Sequence, residues 1–127
     1  MTRTLLRLET WTLIAIGGFA GASVRYGIGL LSPGAQGTLV ANVIGCLLLG
    51  FLWYEASYRN VISDQGQVVF GTGFLSSLTT YSTFAYETAA LSPAYAALNV
   101  VASYALGFGA VLAGRAIATY GTEVARD

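Results

Sequence analysis

Four apolar stretches, residues 11–31, 38–54, 68–91 and 94–119, take up nearly the whole of this 127-residue chain. Each comes close to the ~20 residues that an α-helix needs to cross the hydrocarbon of a bilayer, whereas a barrel strand needs only about 10. In hydrocarbon every backbone N–H and C=O has to find a partner inside the protein, so stretches of this length are helices. Composition agrees, because 9% of residues are charged where soluble domains carry about a quarter. The sequence predicts an all-α membrane protein, one four-span membrane domain over residues 1–127, with no soluble domain beside it. Arg3 and Arg7 stand ahead of the first apolar run as in a secretion leader, but a run reaching Leu31 is too long for a removable one.

The third stretch departs from a plain lipid-facing helix. Six hydroxyl residues (Ser76, Ser77, Thr79, Thr80, Ser82 and Thr83) fall within eight positions midway between Val68 and Leu91. Two readings fit. The helix is broken there, a device by which transporters and channels present unwound carbonyls to a cation or half-helix N-termini to an anion. Alternatively, the hydroxyls bond back to helix carbonyls and only bend it.

Several classes of function are excluded by what the chain lacks. Its net charge is zero, lysine and histidine are absent, and all six basic residues are arginine. No basic surface is available for nucleic acid, and no Cys/His cluster for zinc. The single cysteine, Cys46, lies inside the second span and reads as a small buried hydrophobe.

The remaining polar groups inside the spans are few and specific. Arg25 lies six residues short of the end of the first span, roughly 9 Å along a helix. An arginine there either snorkels to the interface or faces a water-filled cavity. The second span opens with Thr38 and Asn42 on one helical face, where an amide serves as interhelical glue or lines a polar path. Asn99 and Ser103 form a similar stripe on the last span, followed by Tyr104. Glu87, near the end of the third span, reads as a residue reaching the headgroups. Trp53 and Tyr54 close the second span, and Glu55 to Gln67 is expected to be the longest polar loop.

Four spans put both termini on one side, together with Arg3, Arg7, Arg59, Arg115 and Arg126, against Arg25 alone near the other. The excess of basic residues on the cytoplasmic side of membrane proteins places both termini in the cytoplasm. Arg25, Asn42 and Asn99 then fall in one outer layer, rich in donors and free of carboxylates, which suits a small anion.

Gly17-Gly-Phe-Ala-Gly-Ala-Ser-Val-Arg25-Tyr26, Gly37-Thr38-Leu-Val-Ala-Asn42-Val-Ile-Gly45, Thr79-Thr-Tyr-Ser-Thr-Phe84 and Asn99-Val-Val-Ala-Ser103 together resemble the Fluc, or CrcB, family of fluoride channels. The resemblance covers all four spans in order. It implies an antiparallel dimer with two pores at its interface, in the plasma membrane, that lets toxic cytoplasmic fluoride out passively. By the same resemblance Asn42 is the pore amide and Thr38 its neighbour one turn away. Tyr81 and Phe84 stand where the family has two pore phenylalanines, whose electropositive ring edges meet fluoride. Ser103 and Tyr104 match polar positions of the fourth span, and Arg25 matches a vestibule arginine. Backbone carbonyls near Ser76 and Thr79 would hold a structural Na+ at the dimer centre.

Two positions depart from the family pattern. Tyr81 adds a hydroxyl where phenylalanine is usual, and Ser76 replaces a glycine. The one-sided arginine count favours a fixed orientation, hence pairing with a second homologous chain rather than with a copy of itself, and a weakened pore at Tyr81. A small proton-coupled multidrug exporter is the alternative, but it needs a glutamate within the first span, and Glu9 precedes it. A noncatalytic assembly subunit held by its glycine faces is a third class. No convergent acid, base and metal set suggests an enzyme.

Overall fold

The computed structural model describes residues 2–123, with side chains from 3 to 121; Arg126, counted above toward the arginine bias, lies outside the described residues. Within them every regular element is a helix. Helix α1 covers Thr2–Leu31 and α2 covers Ala35–Tyr54, prolonged by a π-helical turn over Glu55–Arg59. Helix α3, residues 64–78, begins as Asp64–Gln67, widens to a π-helix over Val68–Leu75 and closes as Ser76–Leu78. After a non-helical step at residues 79–81 come α4 (Ser82–Ala90) and α5 (Pro93–Glu123). Three segments are each long and apolar enough to cross a membrane: Arg3–Leu31, Ala35–Arg59 and Pro93–Gly121.

Hydrophobic burial cannot be what holds this bundle together. The buried apolar residues among those described are Ala41, Leu75, Leu78, Ala110 and Ala118, while Phe19 is 78% and Leu112 64% exposed. Large apolar side chains on the outside and small residues inside are what a lipid solvent demands, since lipid tails give helices no hydrophobic reason to associate. Close backbone approach takes over. Helices α1 and α3 cross at Gly21 and Gly73: a Cβ at Gly21 would run into the Phe74 carbonyl, and one at Gly73 would lie 2.9 Å from the Ile14 carbonyl.

These contacts also fix direction. Ile14 and Gly17 meet Val69 and Gly73, and Gly21 meets Phe74 and Leu78, so α1 and α3 run parallel. Cys46 lies near Gly107 and Gly50 against Val111, so α2 and α5 run parallel too. The start of α1 and the ends of α2 and α5 therefore share one end of the bundle, here called the termini end. The turns at 32–34 and 91–92 lie at the other.

The long polar loop expected over residues 55–67 is much shorter. Helix continues to Arg59 and resumes at Asp64, leaving residues 60–63. Glu55 is the cause: although 3% exposed, it takes the N–H groups of Val61 (2.7 Å) and Ile62 (3.1 Å) on one carboxylate oxygen. Asn60, in the left-handed region at φ 54°, turns the chain, and Ser63 Oγ caps α3 by accepting from Gly66 N–H at 3.2 Å. Composition alone hid this, because a buried carboxylate that folds a loop onto itself reads as loop polarity in the sequence.

Candidate functional site

The hydroxyl-rich stretch satisfies both readings, each over its own half. Upstream, Ser76 Oγ bonds back to the Thr72 carbonyl and Thr79 Oγ1 to the Leu75 carbonyl at 3.0 Å, inside the helix. Downstream, the helix stops at Leu78 and Thr79 turns extended, with ψ 157°. Asn42 of α2 holds the step. Its Oδ1 accepts the Thr80 N–H at 2.8 Å while its Nδ2 donates to the Thr80 carbonyl at 2.9 Å, so one amide clamps both backbone polar groups of one residue.

This clamp changes the state of two carbonyls. In a continuous helix the Thr80 N–H would donate to Ser76 O, and the Thr83 N–H to Thr79 O. Here the first goes to Asn42 Oδ1, and the second goes to Thr80 Oγ1 at 3.3 Å. Ser76 O and Thr79 O are thereby released from the helical ladder. Neutral oxygens freed this way suit a hard cation, which takes carbonyl ligands without needing a charged side chain. The residues present therefore fit an Na+ held by carbonyls.

Beside the break lies an open groove of about 660 Å³ between α2, the α3–α4 step and α5. Asn42, Ser76, Thr79, Tyr81, Phe84, Ser103 and Tyr104 all line it, alongside Gly45, Cys46, Leu49, Gly71, Leu75, Thr80, Gly107, Phe108 and Val111. No charged side chain is among them. Tyr81 and Phe84 form one aromatic pair, ring centroids 5.8 Å apart and tilted by 48°, and Tyr104 and Phe108 form another at 6.3 Å. All four rings line the groove, and an aromatic ring's quadrupole is positive at its rim. Ser103 Oγ is buried with no hydrogen-bond partner among the described residues, so a hydroxyl is available in this wall.

Thr38 and Arg25 are not in the groove. They line a second cavity, of about 430 Å³, together with Ala22, Tyr26, Gly29, Gly34, Thr80, Thr83 and Glu87. Thr80 borders both spaces, so the Asn42 clamp sits at their boundary. Glu87 faces this cavity rather than the headgroups, and its Oε2 is buried with no partner among the described residues. The outer layer expected to unite Arg25, Asn42 and Asn99 is divided: Asn99 lines neither space and donates instead to Thr88 Oγ1 at 2.8 Å. Thr88 in turn donates to the Phe84 carbonyl at 2.6 Å within α4, so the bond from Asn99 ties α5 to the turn of α4 that follows Phe84.

Residues 12–115 match the family described as CrcB-like protein, Camphor Resistance (CrcB). The chain belongs to the CrcB family. Among its relatives is a Haloarcula marismortui protein named fluoride-specific ion channel FluC 1, 50% identical over 91% of each chain. A Natronomonas pharaonis protein of the same name is 54% identical over 83% of this chain and 90% of its own. Fluoride-specific ion channel FluC 2 of Halobacterium salinarum is 51% identical over 84% of both.

Sequence reasoning missed two residues of this CrcB site. Thr80 was one of six clustered hydroxyls, and nothing in the sequence tells which hydroxyl stands at the helix end that α2 reaches. Thr88 stood outside the cluster. The signal available for it was its four-residue spacing from Phe84, which puts both on one face of α4.

Proposed function

We propose that this CrcB chain is a fluoride-selective channel that lets cytoplasmic fluoride leave passively and so protects against its toxicity. The observation that carries the reading is the groove: donors and ring edges collect along one uncharged path beside a clamped helix break. Fluoride holds its hydration shell tightly, so a passive path has to replace water with N–H, O–H and polarised C–H groups, and it admits no carboxylate. Asn42 Nδ2 carries two N–H groups, of which Thr80 takes one. The second is the pore donor in this reading. Tyr81 and Phe84 supply ring edges, and Ser103 and Tyr104 continue the path with hydroxyls. Arg25 lines the smaller vestibule together with Thr38 and Glu87, and in this reading its guanidinium offsets the Glu87 carboxylate there and draws the anion toward the uncharged groove. The names of the relatives support fluoride as the ion. No covalent step and no turnover belong to this mechanism.

The architecture in this reading is four spans, the third made of α3 and α4 in series. Two chains pair antiparallel in the plasma membrane, the groove of each facing the other. Support comes from the outward aromatic wall, with Tyr81 72% and Phe108 68% exposed on a face that one chain leaves uncovered. Bound at the dimer centre, Na+ would be held by Ser76 O and Thr79 O and would neutralise the carbonyl dipoles there. The crowding of arginines toward the termini end favours cytoplasmic termini, and with them a second, oppositely inserted homologue as partner.

The test is fluoride efflux from liposomes containing this chain alone, followed with a fluoride electrode, with chloride as the comparison anion. Fast fluoride efflux that spares chloride and stops when Na+ is replaced by a large organic cation on both sides is expected of a self-paired channel. Efflux that appears only when the homologue is added assigns the two-chain form, and silence in both preparations overturns the reading.

A further inference from the structure

The groove has an arginine beyond its end that the channel reading does not use. On α5 the residues Tyr104, Phe108 and Val111 line the groove at spacings of four and three, which makes them one row on one helical face. The next member of that row, four residues on, is Arg115. It stands one turn past Val111, about 6 Å by helical rise, toward the termini end. Its side chain is exposed, and its row-mates are apolar or aromatic, so its charge is not neutralised along the row.

Depth places it at the membrane surface. Arg115 lies 22 residues after Pro93, the start of α5, which is about 33 Å of helix against a hydrocarbon thickness of about 30 Å. Among the described acids at this end, Glu9 is exposed on the outer stretch of α1, and the other two face elsewhere or lie further out. Glu55 is buried and turned onto its own loop. Asp64 is seven residues before Gly71, the first α3 residue to line the groove, roughly 10 Å beyond it.

We infer that Arg115 is the anion collector at the termini-end mouth of the groove, raising the local fluoride concentration where the uncharged path begins. The inference rests on the channel reading above. An uncharged path is selective but attracts nothing from a distance; of the arginines at this end, with Arg59 further along near Gly121, Arg115 is the one in register with the groove's own row, so it supplies attraction at the mouth without adding a tight binding site inside it. The effect is one of field, so it depends on charge and on screening and is indifferent to the shape of the head group.

The experiment compares fluoride efflux of the wild-type chain, Arg115→Gln, Arg115→Lys and Arg115→Glu in liposomes, with the homologous partner present if the wild type needs it. Ionic strength is set with an impermeant salt at about 0.01 M, where the screening length is about 30 Å, and at about 1 M, where it is about 3 Å. At low salt and subsaturating fluoride, Arg115→Gln is expected to be slower by about 1.5- to twofold and Arg115→Glu slower again by a similar factor, the size of one unit charge acting over about 10 Å of water. Arg115→Lys should match the wild type, and all four should converge at high salt. Equal rates for wild type and Arg115→Gln at low salt overturn the collector. So does a deficit that persists at high salt, or one that lysine does not rescue, since either marks a structural role. A silent wild type fails the channel reading itself and is read from the first trace.

Discussion

Asn42 grips Thr80 by both ends of its backbone, its Oδ1 on the N–H at 2.8 Å and its Nδ2 on the carbonyl at 2.9 Å. A side chain on α2 thereby takes the place of the hydrogen bonds that a continuous third helix would make for itself. The break is held open from outside, and the freedom of the Ser76 carbonyl depends on it.

Asn42→Ala removes the clamp and frees the Thr80 N–H to rejoin the helical ladder at Ser76 O. Each lost interhelical bond is worth about 1 kcal/mol, so the variant should still assemble. Fluoride efflux is expected to fall by more than about tenfold, the equivalent of roughly 1.4 kcal/mol. Asn42→Asp should be at least as poor, because a carboxylate cannot donate to the Thr80 carbonyl and puts negative charge on an anion path. Efflux within threefold of wild type in Asn42→Asp would remove Asn42 from the path.

Tyr81 and Phe84 make separable predictions. Phe84→Ile keeps an apolar branched side chain and discards the electropositive rim, so efflux should be lost while the protein still elutes as wild type on size exclusion. The Tyr81 hydroxyl has no hydrogen-bond partner among the described residues, and its ring is exposed. If the ring edge is the working part, Tyr81→Phe conducts at least as fast as wild type. A sharp drop in Tyr81→Phe assigns the work to the O–H instead.

The α1–α3 crossing should tolerate no side chain. A Cβ at Gly21 meets the Phe74 carbonyl and lies 2.9 Å from its carbon, both backbone atoms that cannot rotate away. Gly21→Val is expected to lower stability in detergent by about 1–3 kcal/mol or more, as overpacking does. Gly27, with nothing within 4 Å of an added Cβ, is the control: Gly27→Ala should leave the thermal midpoint unchanged or slightly raised.

Asn99 and Thr88 should behave as one unit. Thr88→Val and Asn99→Ala each break the 2.8 Å bond between α5 and α4, so the double variant should lose little more stability than either alone. A thermal-melt double-mutant cycle reads the coupling, expected at about 1 kcal/mol. Strict additivity would show that the two side chains do not share a bond in the membrane.

How far the sequence reached can be traced through particular residues. The hydroxyl run from Ser76 to Thr83 marks the third span as irregular without telling a broken helix from a bent one, and the structure shows both, hydroxyls bonding back upstream and a helix that stops at Leu78. Asn42, Tyr81, Phe84, Ser103 and Tyr104 could be picked out by motif, and they do converge on one groove. Thr38, one turn from Asn42, does not: the step at Thr80 divides the two spaces, and a division between cavities leaves no mark on helical periodicity. From its distance along the span Glu87 reads as a residue reaching the headgroups, and in the fold it lines the cavity that Arg25 also lines.

Sequence by itself determined the medium and the element type, since apolar length and scarce charge allow only helices in lipid, and it named most of the polar groups such a chain must be keeping for a purpose. Tertiary structure decided which of those groups meet. The partner of the Thr80 N–H, the release of the Ser76 and Thr79 carbonyls and the turning of Glu55 onto its loop are all bonds between groups that no local propensity pairs. A backbone donor takes whichever acceptor the packing of neighbouring helices brings within reach.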